Sequence, residues 1–319
     1  MTTPALERLD TQRLAGLLGV PANEVTRAAG VSLPDLRCAF LADEDRDRAI
    51  LGVLRELHKD LRVSGGDDNT VWERGWSEVL ADVRRDGFAL EVLRPQYYRG
   101  QVVIRLAGGY VAAETDGFLN ALDLLVRRIV LRRHLADARH IVELGCGTGL
   151  NLLLAHEIAP EAALHGADWA QASVDIMAAA APSIGRLTGS RFNMLTLEGA
   201  AALPIDGDTT VLTVHALEQL GAAVQPIIDM LLERQPRLCV HLEPLAELYD
   251  AATLFDYLAL EYHNKRNYLV GFLPALERLA QSGRIEIVDR HRFGLGSQFH
   301  EGYSLIVWRP RPAPPRRAR

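Results

Sequence analysis

The chain has 319 residues, 48% hydrophobic and 24% charged, enough for one large domain or a domain with a cap. A net charge of -6 argues against a general nucleic-acid binder, and Cys38, Cys146 and Cys239 lie too far apart for a zinc site or a disulfide framework. Glu7, Arg8 and Asp10 occupy the place of a signal-peptide core, and Asp123, Arg127 and Arg128 interrupt the greasiest stretch. Neither export nor a membrane span is expected, and the cytoplasm is the default location.

Residues 1–62 read as helices, because Leu6, Leu9, Leu14, Leu17 and Leu18 recur at helical spacing, as do Ile50, Leu51, Leu54 and Leu57. Residues 14–21, followed by Val25 and Ala28, have the Ala, Gly and apolar spacing of a helix-turn-helix. Its second helix offers one cation, Arg27, so a helical cap or a homodimer element is the stronger reading. Residues 63–70 form a glycine-rich loop. Trp72 and Trp76 then share one helix face and read as core. Residues 101–106 and 110–112 flank Ala107-Gly108-Gly109 as a hairpin, just after Tyr97, Tyr98 and Arg99. A long amphipathic helix over 116–135 takes Asp116 as its N-cap.

Beyond residue 140, strands are expected at 141–144, 164–168, 191–195, 210–215, 238–243, 285–290 and 303–308. Helical segments separate most of them, which argues for a parallel sheet with helices on both faces. The last two are joined by a loop, so the final strand runs antiparallel. Between the fifth and sixth, helices over 248–262 and 269–280 flank a polar, aromatic insert at 263–268. The proline- and arginine-rich tail, 310–319, reads as disordered.

The most informative stretch is Glu143-Leu144-Gly145-Cys146-Gly147-Thr148-Gly149, between an apolar strand and a helical run. Glycine supplies the positive φ of so tight a turn and lets the backbone approach a ligand near a helix N-terminus. The dinucleotide fingerprint would need a third glycine where Leu150 stands. The acid-x-G-x-G-x-G spacing instead resembles motif I of the class I S-adenosylmethionine (SAM)-dependent methyltransferases. The resemblance covers about residues 118–309. It implies an α/β fold with a Rossmann-like seven-stranded sheet, here under a mainly helical N-terminal cap. The domains would be a cap or dimerisation region at 1–115 and a SAM-binding domain at 116–309.

On that resemblance Gly145, Cys146 and Gly147 shape the SAM pocket and Glu143 faces the amino-acid end of SAM. Asp168 takes the ribose hydroxyls. Trp169 lies on the adenine face, and Asn193 and Met194 follow the third strand near the adenine, where the family usually has an acid. In an open α/β sheet, ligands bind beyond the carboxyl ends of the strands. His215 and His241 end neighbouring strands there, and Glu243 shares a face with His241. With His263, His300 and Glu301 they make a histidine-rich rim. A general base, His215, His241 or His263, is one use of it. A divalent metal is another, without a spacing signature, and a structural role is the third. Tyr98, Arg99 and Tyr110 are candidates for the carboxylate of SAM or of an acidic substrate, and Tyr262, Lys265, Arg266 and Tyr268 for the substrate side.

The expected activity is methyl transfer from SAM to an oxygen or nitrogen of a small polar molecule. Use of SAM's aminocarboxypropyl group, releasing methylthioadenosine, is the alternative within the fold. A SAM-sensing helix-turn-helix regulator is the alternative outside it.

Overall fold

The computed structural model describes residues 6–30, 35–66, 68–94, 103–115 and 117–311. Tyr97, Tyr98, Arg99 and Asp116 lie outside the described residues, as does the tail beyond 311.

The N-terminal part runs β1 (Glu7–Arg8), α1 (Thr11–Leu18), α2 (Ala22–Ala29), β2 (Arg37–Phe40), α3 (Asp43–Leu57), α4 (Thr70–Asp86), α5 (Leu90–Leu93), β3 (Val103–Leu106) and β4 (Gly109–Ala113). It is not helices alone, as the periodicity of its first 62 residues suggests. Two short strands hide there, too brief to show an alternating pattern. Asp10 caps α1 by accepting a hydrogen bond from the Arg13 N–H (2.8 Å), and Gly19 ends it in the left-handed region. The apolar faces of α1 and α2, Leu14, Leu18, Val25 and Ala28, are buried within the chain itself. α2 packs on α6 (Phe118–Leu135), where Glu24 pairs with Arg133 at 2.6 Å.

The rest is an α/β unit. After α6 come β5 (His140–Leu144), α7 (Leu150–Ile158), β6 (Ala163–Asp168), α8 (Gln171–Ile184), β7 (Leu187–Arg191), β8 (Thr209–Val214), α9 (Gln225–Arg234) and β9 (Leu238–Glu243). Then follow α10 (Leu254–Arg266), α11 (Phe272–Gln281), β10 (Ile285–Arg292), β11 (Leu295–Ser297) and β12 (Ser304–Pro310). Seven strands form a Rossmann-like sheet in the order β10-β12-β9-β8-β5-β6-β7. β12 is antiparallel to both neighbours, and β5 to β9 are parallel where they pair. Alternate residues face opposite layers: Ile141, Leu212 and Val240 join one apolar cluster, and Val142, Val211 and Cys239 the other. No helix among the described residues is long and apolar enough to cross a membrane.

Three boundaries differ from expectation for physical reasons. The third strand of this sheet is β7, Leu-Thr-Gly-Ser-Arg, not residues 191–195. It is an edge strand with small, polar residues, while the apolar Phe192, Met194 and Leu195 follow it in a loop. α10 begins later than residue 248, after a turn in which the Thr253 N–H donates to the Asp250 carbonyl (2.9 Å). It then runs on through the supposed insert to Arg266, and Asn267, at φ 49°, ends it. Lastly, β11 pairs with β3, completing a five-stranded sheet of order β1-β2-β4-β3-β11. The boundary expected at residue 115 is therefore crossed by a strand from the far end of the chain.

Arg292 ties α10 to the sheet. It donates to Asp256 (2.6 and 2.9 Å), to Glu301 (2.6 and 2.9 Å) and to the Leu248 carbonyl (2.9 Å). Glu301 is 2% exposed. An Arg292→Met substitution should leave that carboxylate buried without its partner and destabilise the fold by about 3–5 kcal/mol. Urea unfolding checks this, and a loss below about 1 kcal/mol would mean the clasp is solvated.

Candidate active site

The sheet's topology reverses between β5 and β8: the chain runs outward from β5 to β7, then crosses back to β8 on the other side. Ligand crevices form at such a switch point. The glycine turn leaves β5 there, and His215 leaves β8.

Gly145, Gly147 and Gly149 all have positive φ (73°, 51° and 79°). A Cβ on Gly145 would stand 2.4 Å from the Ala216 Cβ, and one on Gly147 would stand 3.1 Å from the Trp76 ring. The turn's amides are wired to β6. Those of Gly145 and Cys146 donate to the Ala167 carbonyl (2.7 and 3.1 Å), and that of Gly147 donates to Asp168 Oδ2 (2.9 Å). The glycines thus contribute closeness to the crevice, not the free N–H groups their position beside a helix suggested.

Two adjoining spaces open from this turn. A narrow slot of about 80 Å³ is lined by Asp168, Trp169, Asn193, Met194, Ala216 and both tryptophans of α4. A chamber of about 500 Å³ lies beside it, reaching Cys146, Arg127, Asn151, Tyr262, Arg266 and His300. Gly145, Gly147, His215 and Gln219 line both. Trp72 and Trp76 stack at 5.7 Å and form a wall shared by both spaces, and Trp76 also packs against the apolar core. α4 is held over the slot by Glu73, whose carboxylate accepts the Gln171 and Ala172 amides at the start of α8 (2.7 and 3.0 Å).

Asp168 is buried, and burial lifts its carboxyl to about 6 against the pull of the Ala170 and Gly147 amides. Asn193 uses its amide oxygen locally, accepting from the Leu195 N–H (2.8 Å). Glu143 stands one layer behind the turn. Its Oε1 accepts from Asn151 Nδ2 (2.6 Å) and its Oε2, fully buried, has no partner. The Asn151 oxygen in turn accepts from Arg127 Nη1 (2.6 Å), Arg127 Nε donates to Asp123 (2.6 Å), and the Tyr303 hydroxyl donates to the same Asp123 oxygen (2.6 Å). A buried polar chain thus joins Glu143 to Tyr303 in the chamber wall. The residues from Asn151 to Tyr303 carry no local motif, and only the charges inside an apolar helix, Asp123 and Arg127, hinted at it.

His215 adopts φ 53°, a region that a side chain with a Cβ enters at a cost. Its ring stands edge-on to Tyr303 at 4.9 Å, Nδ1 lies 3.5 Å from Glu218 Oε2, and Nε2 is buried without a partner. The loop behind it is held by Glu243, which accepts the amides of Ala216, Leu217 and Glu218 (3.1, 3.1 and 3.3 Å).

The other expected site residues lie elsewhere. His241 is wholly buried in the sheet and out of the crevice. The Trp308 indole donates to its Nε2 (3.0 Å), which leaves the proton on Nδ1 for Thr213 (2.9 Å), and burial holds the ring neutral, down to about 3. His263 sits behind His300, with 3.2 Å between His263 Nε2 and His300 Nδ1, and burial lowers it to about 4. Tyr110 packs edge-on against Phe255 (4.9 Å) in a separate cluster, away from both spaces. Tyr98 is outside the described residues. Lys265 turns away to the Leu57 carbonyl (2.6 Å). Among the described residues, no group of three His, Cys, Asp or Glu is placed to hold a metal ion.

No protein-family model matches the chain, and no curated protein does. Among solved structures, human N-acetylserotonin methyltransferase is similar at 11% identity over 95% of this chain and 87% of that one, with a TM-score of 0.44. An O-methyltransferase (NcsB1) from neocarzinostatin biosynthesis is similar at 14% identity over 60% of this chain, with a TM-score of 0.42. This chain spans 58% of the length of that enzyme. Geranyl diphosphate C-methyltransferase from Streptomyces coelicolor A3(2) is similar at 13% identity over 62% of this chain and 85% of that one, with a TM-score of 0.41.

Burial pushes the Glu143 carboxyl up from 4.5 to about 8. The folded chain then keeps a proton that the unfolded chain has lost, so this group's share of stability is full below pH 4.5 and is lost as pH rises through about 8. A Glu143→Gln variant, uncharged throughout, should show a flatter fall in Tm across that window than the wild type. Parallel slopes in a pH series of thermal melts would contradict it.

Proposed function

We propose that the protein is a class I SAM-dependent methyltransferase acting on an oxygen or nitrogen of a small molecule. What supports it most is His215: an imidazole nitrogen, buried and unpartnered, where slot and chamber meet.

The residues fit the donor. The apolar walls of the slot suit a flat purine. Asp168 holds one backbone amide on each oxygen, and each oxygen retains a lone pair for a ribose hydroxyl. The zwitterionic amino-acid end would meet Asn151 and Arg127 in the chamber, with the unpaired Glu143 oxygen behind them. SAM supplies a methyl on a sulfonium, taken by in-line displacement with the C–S electron pair left on sulfur.

The chain's own residues do the rest. Gly145, lacking a Cβ, lets the turn close onto Ala216 and so brings the loop that carries His215 up to the glycine turn. His215 Nε2 takes the proton of the attacking hydroxyl or amine, and Glu218 at Nδ1 stabilises the imidazolium that forms. Tyr303 and the left-handed backbone fix the ring's direction. Trp72 and Trp76 exclude water from the reacting atoms.

Calorimetry with S-adenosylhomocysteine tests the donor site: the wild type should bind and Asp168→Ala should lose the heat. A silent wild type sinks the proposal. With an acceptor that the wild type turns over, His215→Gln should lower kcat by about 10²–10⁴ while S-adenosylhomocysteine affinity stays within a few-fold. Release of methylthioadenosine in place of S-adenosylhomocysteine would show transfer of the aminocarboxypropyl group instead.

A further inference from the structure

Among the described residues that line the chamber, one arginine makes no ion pair. Arg127 is paired with Asp123 at 2.6 Å. Arg266, at the end of α10, makes no ion pair among the described residues. Its Nη1 reaches only the Tyr262 hydroxyl (3.3 Å), its Nε is buried without a partner, and its guanidinium carbon lies 4.8 Å over the Tyr268 ring. A partly buried cation in that state lacks the hydrogen bonds its planar fork can make, and a carboxylate completes them two at a time.

The neighbouring wall is aromatic. Tyr262 stacks on Phe299 (5.1 Å, 14° between planes) and on His300 (5.4 Å, 22°), and all three line the chamber. The Trp72–Trp76 pair lines it too. Such faces suit a flat π-system, by offset or edge contact. The chamber's charge is also divided. Glu218 sits beside His215 and makes no ion pair with Arg266, so the carboxylate accompanies the base and the Arg266 charge is left for a ligand. An acceptor that matches this layout is neutral where it meets His215 and anionic where it meets Arg266, with a ring between.

We propose that the acceptor is an aromatic carboxylic acid carrying a hydroxyl or amino group, its carboxylate held by Arg266 and its ring against Tyr262 and Phe299. This rests on the methyltransferase reading and narrows its substrate class. Arg266 is then the residue that selects for charge.

The probes are para-hydroxybenzoate and para-hydroxycinnamate, each beside its carboxamide, which keeps the shape and removes the charge. Quenching of Trp72 and Trp76 fluorescence reads their binding to the full chain saturated with S-adenosylhomocysteine. The acids should bind about ten- to a hundredfold tighter than the amides. Arg266→Gln should erase that preference while S-adenosylhomocysteine still binds, which shows that the variant is folded. Arg266→Lys, keeping the charge but not the fork, should restore part of it. The proposal is overturned if acid and amide bind wild type alike, if the preference survives in Arg266→Gln, or if the saturated-ring analogue of hydroxybenzoate binds as well as the aromatic acid. If S-adenosylhomocysteine binds and no acid does, this proposal fails alone. If S-adenosylhomocysteine does not bind, the parent reading fails first.

Discussion

The pairing of Asp123 with Arg127 inside α6 is the constraint on which the site's geometry rests. Two charges four residues apart on a buried helix face are stable only if their hydrogen-bonding capacity is filled. Filling it recruits Tyr303 from β12's approach on one side and Asn151 from α7 on the other. Asn151 then fixes one oxygen of Glu143. Thus the helix before the sheet, the helix after the glycine turn and the final strand are locked into one register by a single ion pair. The chamber wall is a by-product of that lock.

A second buried chain supports the other side. Trp308 holds His241, His241 holds Thr213, and Glu243 gathers the three amides that follow His215. The side chains of Trp308, His241, Thr213 and Glu243 do not line the crevice. Their effect is to hold His215 in a backbone conformation it would otherwise leave. Of the strand-end histidines, one is therefore presented and another is built into its support.

Much of the fold was legible because its signals are local. The glycine spacing located the turn, and the alternation of strands with helices located most of the large sheet. Asp168 and His215 stood out as polar residues at strand ends, and both line the crevice. What was illegible depends on partners far away in sequence. The edge strand β7 carries too little apolar surface to announce itself. Trp72 and Trp76 have the spacing of core residues, and only the packing of α4 across α8 turns them toward the crevice. His241 and Tyr110 look like site residues by type, but burial on a sheet face removes them from it. Asp123 and Arg127 interrupt the apolar run of α6, and in the fold they form a buried network that the sequence alone does not disclose.

The short strand β11 carries a consequence for how the polypeptide can be divided. It reaches out of the loop between the antiparallel β10 and β12 to pair with β3, residue for residue from Leu295 to Ser297. The segment bearing Phe299 and His300, which walls the chamber, hangs directly from it. Cutting away the first 115 residues would leave the parallel sheet's hydrogen bonds intact, yet orphan this ribbon and release an unpaired edge. The N-terminal region is accordingly less an appendage than the outer half of the crevice: α4 lends Trp72 and Trp76 to the slot and β3 anchors the ribbon beside the chamber, so grafting the glycine-turn half onto another scaffold would leave both spaces without their outer walls.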